Sequence, residues 1–197
     1  INDGFAINTT ELAYNTPNYT VGSNYAIGKP LWKTETMQVY GDTKGGKEEY
    51  EYNGNLLTKK TTYNRDQSEY IEESYLYDGF GNIIEKTIEN PSNNDDVQAA
   101  TTKSQYEDKG RFVIKKTDNL GIETNITYND WGLVLTQTDH LNNTLTNTYD
   151  NWGKLLTSKT NLGGTTTYTY EKLSNGDAKV TEYSPDNDQK ITYTNKL

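Results

Sequence analysis

Along residues 106–170 the apolar positions recur in short alternating bursts. In 122–128, Thr124, Ile126 and Tyr128 fall on one side of an extended chain. In 144–149 the matching set is Leu145, Asn147 and Tyr149, and in 165–170 it is Thr166, Tyr168 and Tyr170. Period-two placement of β-branched and aromatic residues is the signature of a half-exposed strand, and the i, i+3, i+4 spacing of a helix is absent. The pattern predicts an all-β chain with no substantial helix.

The bursts belong to a repeat. YDGFGNIIEKT from Tyr77, YEDKGRFVIKKT from Tyr106, YNDWGLVLTQT from Tyr128, YDNWGKLLTSKT from Tyr149 and a looser copy from Tyr170 share one frame, with a shortened version, YNGNLLTKKT, from Tyr52. Successive anchors from Tyr77 are 29, 22, 21 and 21 residues apart, the first interval holding an insertion around 91–96. Each unit carries two turn signals. The first is Tyr–Asp/Asn/Glu–x–x–Gly, placing Asp78 before Gly81, Glu107 before Gly110, and Asp150 before Gly153. Trp131 and Trp152 each precede the turn glycine, Gly132 or Gly153. An early Asp or Asn can accept from nearby backbone amides, and Gly supplies the positive φ of the exit. The second turn is DNLG at 118–121, DHLNN at 139–143 or NLGG at 161–164, with Asn161 in the usual Asp place. Each unit therefore reads as a β-hairpin. A lone hairpin is barely stable, so neighbours must pair edge to edge into a continuous curved sheet.

On this reading 1–27 is an irregular N-terminal segment, and 28–75 holds lead-in strands at 31–40, 48–52, 56–63 and 70–77. Turns are expected at Gly41-Asp42 and Gly45-Gly46, and 76–197 holds the hairpin repeats. The chain opens on Ile1 and carries no signal-peptide pattern, so it reads as a fragment whose targeting signals, if any, lie elsewhere.

Composition refines the picture. Aliphatic residues are sparse, but 17 Tyr and 3 Trp carry large apolar area with a polar handle. That suits a thin, half-solvated sheet better than one thick core. A net charge of −9 argues against nucleic acid and against an anionic membrane surface. No apolar run reaches the roughly 18 residues of a membrane span. With no cysteine there is no disulfide, thiol nucleophile or thiolate metal site.

Candidate chemistry is thin. His140 is the only histidine, and it falls in a second turn, aligned with Asn119 and Leu162, where a solvated residue is expected. The acidic loops Asn93-Asn94-Asp95-Asp96 and Asp186-Asn187-Asp188 offer oxygen ligands of the kind calcium takes, without the EF-hand frame. Glu72 and Glu73, or Glu48 and Glu49, are consecutive strand residues facing opposite ways, so neither forms a glycosidase pair. Glu49 and Glu51 share a face in a solvated, charged stretch. Trp131 and Trp152 read as a structural ladder at a sheet rim, or alternatively as platforms for a sugar. Asn8, Asn18, Asn125 and Asn142 open N-glycosylation triplets of the sort an Asn/Thr-rich chain produces by chance. The expectation is a non-enzyme without cofactor or metal.

The frame Y-D-x-x-G-x-L followed by T-D-x-x-G-x-T-x-x-Y resembles the YD repeat, also called the Rhs repeat. YDNWGKLLTSKTNLGGTTTYTY follows it over the whole unit, and the likeness covers about 75–193. The resemblance implies a spiral β-strip forming a hollow shell around a toxic C-terminal domain, as in bacterial Rhs toxins and insecticidal toxin complexes. GKPLWKTETMQVYGD at 28–42 also looks like the segment leading into the repeats of the B component of those complexes. The implied role is a structural module that encapsulates or scaffolds a toxin or effector domain, secreted or at a bacterial cell surface. Its partners would be other segments of a larger Rhs-type polypeptide or its cargo domain. Exposed end strands would allow edge-to-edge self-association. The alternative is an adhesion module for carbohydrate or protein. The self-cleavage motif of the family has no counterpart, since Pro185-Asp186 is the reverse order.

Overall fold

The structure is a computed structural model that describes residues 6–14, 28–91 and 98–194. It is all-β. The strands are β1 (Ile7–Tyr14), β2 (Pro30–Val39), β3 (Asp42–Asn53), β4 (Leu56–Tyr63), β5 (Tyr70–Tyr77), β6 (Ile83–Glu89) and β7 (Ala100–Tyr106), then β8 (Val113–Thr117), β9 (Glu123–Tyr128), β10 (Val134–Thr138), β11 (Thr144–Tyr149), β12 (Leu155–Thr160), β13 (Thr165–Lys172), β14 (Ala178–Tyr183) and β15 (Gln189–Thr194). Hydrogen-bonded neighbours follow chain order from β1 to β15 without a crossover, so the sheet is an open antiparallel meander. No helix occurs among the described residues. The chain divides into two compact units, 1–103 and 104–197.

In the first unit, β1 occupies part of the segment expected to be irregular, pairing Ile7 with Gln38 through Leu12 with Lys33. Three of the four lead-in strands form close to their expected bounds, while β3 starts at Asp42, ahead of the expected 48. Gly45-Gly46, however, is no turn. Both lie inside β3, opposite Thr36 and Glu35 of β2. A Cβ on Gly45 would stand 2.6 Å from the Glu35 carbonyl oxygen, so glycine serves there for close backbone approach. The chain reverses at Tyr40-Gly41, both at positive φ, one residue before the expected Gly41-Asp42 turn.

In the second unit, β9, β11 and β13 are the return strands of the repeat. Ile126 pairs with Gln137 and Thr127 with Thr136. Asn147 pairs with Ser158. Burial is shallow throughout. Among the described residues Ile126, 9% exposed, is the one apolar residue in the buried class, joined by Thr61 and Thr181. Among the described residues all strands belong to one sheet, with no helix and no second sheet. The sheet's stability must come from ladder hydrogen bonds and cross-strand side-chain pairs, each of the latter contributing about 0.2–1 kcal/mol.

Candidate functional site: the repeated turn and tyrosine lock

One turn geometry recurs at both ends of the hairpins. In 78–82, 118–122, 129–133, 139–143, 150–154, 160–164, 173–177 and 184–188, the first residue's amide donates to the fifth residue's carbonyl. The fourth residue's amide donates back to the first residue's carbonyl. That fourth residue has positive φ each time, as Gly81, Gly121, Gly132, Asn142, Gly153, Gly163, Gly176 or Asn187. This is a type I turn closed by a G1 bulge, one of the standard short hairpin loops. The two turn signals read from sequence are therefore one device.

In all of these turns but the one opened by Leu173, the first residue supplies a side-chain acceptor. Asp78 Oδ1 accepts from the amides of Phe80 and Asn82 at 2.9 Å each. Asn129 Oδ1 accepts from Trp131 and Leu133, and Asp150 Oδ1 from Trp152 and Lys154. Asp118 and Asp139 do the same in the second turns. A side-chain hydrogen bond from Asn143, reinforced by the two amides against some burial, holds the Asp139 carboxyl below its ordinary value. Glu107 reaches the same end with a longer side chain, accepting from Arg111 N and Nε. Its turn runs one residue longer, with Glu107 N donating to Phe112 O.

The third repeat corrects the sequence alignment. Thr160, not Asn161, opens the turn, with Gly164 N donating weakly to its Oγ1 at 3.3 Å. Asn161 bonds instead to the neighbouring hairpin, accepting from Thr144 N and donating to Asn142 O. His140 thus corresponds to Asn119 and Asn161, and Leu120, Leu141 and Leu162 are the equivalent tip residues. His140 is exposed, as expected.

The repeat tyrosines end β5, β9 and β11 and lie two residues before the end of β13, and each fastens three strands. Their hydroxyls donate to backbone carbonyls: Tyr77 to Leu57 at 2.6 Å, Tyr128 to Val113 at 2.8 Å, Tyr149 to Val134 at 2.8 Å and Tyr170 to Leu155 at 2.9 Å. Leu57, Val134 and Leu155 are themselves the backbone partners of Tyr52, Tyr128 and Tyr149. A register shift follows each of these pairs, so a bulge there breaks the regular ladder. The next tyrosine supplies a donor to a carbonyl at that break. Burial raises the pKa of Tyr77, Tyr128 and Tyr170, as expected for phenols kept neutral as donors. Tyr106 closes β7, immediately before the turn of Glu107 and Gly110.

Asn147 departs from this pattern. It stands where neighbouring repeats have Ile126 and Tyr168. Its Nδ2 adds a second donor to Val134 O at 3.1 Å, while its Oδ1 is buried without a hydrogen-bond partner.

At the rim, Phe112 stacks on Tyr128 with ring centroids 5.0 Å apart and lies beneath Gly132. A Cβ at Gly132 would fall 2.4 Å from Phe112 Cζ. At Gly153 a Cβ would meet Leu133 Cδ1 at 3.2 Å and Trp131 Cε3 at 3.8 Å, the indole standing at ordinary contact distance. The two indoles make no ring–ring contact among the described residues, so the expected Trp ladder is a ring-over-glycine contact instead. Trp131 remains 64% exposed and Trp152 87%. An open groove of about 420 Å³ lies between these turns, lined by Trp131, Leu135 and Tyr149.

A second set of contacts was not anticipated from sequence. Glu48 accepts from Lys60 at 2.6 Å and from the Tyr50 hydroxyl at 2.5 Å. Twenty-five residues on, Glu73 accepts from Lys86 at 2.6 Å and from Tyr75 at 2.9 Å. Lys60 first, then Tyr50, lowers the Glu48 pKa, and Lys86 does the same for Glu73. Burial first, then the Glu73 bond, pushes Tyr75 up to about 12. On the opposite face Glu49 binds Lys47 and accepts from Tyr63 at 2.8 Å. Glu49 is thus engaged rather than simply solvated. The spacing of Tyr50 and Tyr75 was visible, but the cross-strand lysines become partners only once register is known.

The loop 93–96 and Asn18 lie outside the described residues. Asp186-Asn187-Asp188 closes an ordinary hairpin turn, with Asp188 N donating to Ser184 Oγ.

No family model and no curated protein matches the sequence. Among solved structures there is a match to a crystal structure of TcdB2-TccC3-Cdc42, with 11% identity and a TM-score of 0.45. The chain is similar to part of that structure. The match covers 86% of this chain and 11% of the other, so the chain spans about a ninth of its neighbour's length. A likeness of this degree carries no functional argument by itself.

Proposed function

We propose that this chain is a structural repeat module, a stretch of β-shell wall that encapsulates or scaffolds a toxin or effector domain of a larger secreted bacterial polypeptide. The carrying observation is the tyrosine lock. Tyr128, Tyr149 and Tyr170 each reach back fifteen residues to a carbonyl across the hairpin. A hairpin fastened in this way needs its neighbours and no thick core, so a strip can lengthen by repetition, as solenoids do. The YD-like frame of the same tyrosines, aspartates and glycines supports the reading. The curvature that would close such a strip, and the cargo within it, belong to the proposal.

Protease protection in the full-length polypeptide tests this. The segment following the repeats should resist cleavage in the wild type and become susceptible when Tyr128, Tyr149 and Tyr170 are all changed to Phe. Equal susceptibility in both would refute encapsulation. A glycan array separates the adhesion alternative: specific binding abolished by Trp131→Ala with Trp152→Ala would overturn the purely structural reading.

A further inference from the structure

Strands β3–β7 carry cross-strand charge beside the Tyr77 lock and the Thr87–Thr101 hydroxyl pair. The side-chain links described between β9 and β13 are neutral, Glu123 of β9 pairing outward with Lys115 of β8. Each adjacent pair from β3 to β7 carries a cross-strand ion pair: Lys60–Glu48 and Lys59–Glu51 across β3/β4, Lys59–Glu72 across β4/β5, Lys86–Glu73 across β5/β6 and Lys103–Glu85 across β6/β7. Glu72 and Glu73 are 19% and 24% exposed, deep for carboxylates on a single sheet. Lys59 serves two carboxylates on opposite sides at 3.0 and 3.2 Å. Within β9–β13 the side-chain links are hydroxyl pairs, Thr127–Thr136 at 2.6 Å, Thr138–Thr144 at 3.0 Å and Thr148–Thr157 at 2.6 Å, together with the locks of Tyr149 and Tyr170.

We propose that acid releases the β3–β7 ladder before the β9–β13 ladder, so that the chain carries an acid-labile segment followed by an acid-resistant one. This does not rest on the shell reading.

The groups facing the key carboxylates set the sign. Around Glu48 stand Tyr50 on its own strand, Lys33 from β2 and Lys60 from β4; around Glu73 stand Tyr75, Lys60 and Lys86; around Glu49 stand Lys47, Tyr63 and Lys59. Their net effect lowers each carboxyl's pKa, so each contributes stability above its unfolded value and loses it as pH falls through the folded one. Protonation of Glu48 and Glu73 then leaves Lys60 and Lys86 without their counter-charges. One contact works the other way: Glu72 and Glu89 face each other across β5/β6 as like charges. It is one contact against five ion pairs. Turn carboxylates occur in both segments, as Asp78 in one and as Asp139 and Asp150 in the other.

Hydrogen–deuterium exchange of the whole chain, corrected for intrinsic rates and compared between neutral pH and a pH below the usual carboxylate range of about 4, tests the order. Protection across 42–106 should fall at least tenfold more than across 123–170. The Glu48→Gln, Glu73→Gln chain should lose part of that protection already at neutral pH, and its further acid response should shrink. Molar salt on the wild type at neutral pH, which shortens the Debye length to about 3 Å, should weaken the same segment selectively and keeps the test informative should the variant not fold. Uniform loss, earlier loss in 123–170, or a salt effect without preference would overturn the proposal.

Discussion

Tyr149→Phe and Asn147→Ile, made singly and together, probe the lock where it is doubled. The Val134 carbonyl accepts from both the Tyr149 hydroxyl and Asn147 Nδ2. Removing the hydroxyl alone leaves the carbonyl one side-chain donor, so the cost should sit near the low end for a hydrogen bond, about 0.5–1 kcal/mol. Asn147→Ile removes that second donor, worth about 0.5–1.5 kcal/mol, but also removes the unpartnered buried Oδ1, whose burial costs about 1–3 kcal/mol. Ile126 occupies the equivalent place one repeat earlier, so the shape is tolerated by the frame. The single Ile variant should therefore be neutral to stabilising by about 1 kcal/mol. In its background, Tyr149→Phe strips the last side-chain donor and should cost about 1–2 kcal/mol. The coupling expected from the cycle is about 0.5–1 kcal/mol, well within what contacting residues show. Urea unfolding followed by tryptophan fluorescence measures each corner. Additive effects, or a loss above about 1 kcal/mol for Asn147→Ile alone, would refute the shared-carbonyl argument.

Gly121 and Gly132 hold the same turn place, at φ 78° and 83°. Alanine at Gly121, which meets nothing within 4 Å, should cost only the left-handed penalty of about 1–2 kcal/mol. At Gly132 the Phe112 ring adds an overpacking cost of about 1–3 kcal/mol, recovered in a Phe112→Ala background; equal costs at both sites would dismiss the ring. Thr160→Asp should stabilise by about 1 kcal/mol, since a carboxylate can accept from the amides of Leu162 and Gly164 where Thr160 accepts one weak bond; a lower melting temperature would count against the common turn. For Asp139 the lowered pKa means its contribution is present above the unfolded value and fades as pH falls through the folded one. Asp139→Asn keeps the acceptor for Leu141 and Asn143, so its stability relative to wild type should rise on acidification, and a constant difference from neutral to acid pH would contradict this.

How much could be read from the sequence depends on how local the cause was. The five-residue turn is written within its own residues: Asp or Asn at the first place and Gly or Asn at the fourth suffice, and Glu107 was placed correctly despite its extra methylene. Thr160 was missed because Asn161 looked the better acceptor, and only the backbone bonds to Gly163 and Gly164 reveal which residue opens the turn. The tyrosines were evident as anchors, but their acceptors are carbonyls, which carry no sequence signal. Gly45 was misread because a glycine pair signals reversal, whereas its cause is the Glu35 carbonyl on another strand. The Glu48–Lys60 and Glu73–Lys86 pairs were hidden for the same reason, since their meaning lies in cross-strand register. This division bears on what the chain can do. Local turns define where each hairpin reverses, while non-local hydroxyls and ion pairs fasten one strand to the next. The fastenings are therefore the part of the design free to differ from one segment to another on the same turn frame. Charge in β3–β7 and hydroxyls in β9–β13 are two such choices, and they give two ladders of one topology different responses to acid and salt.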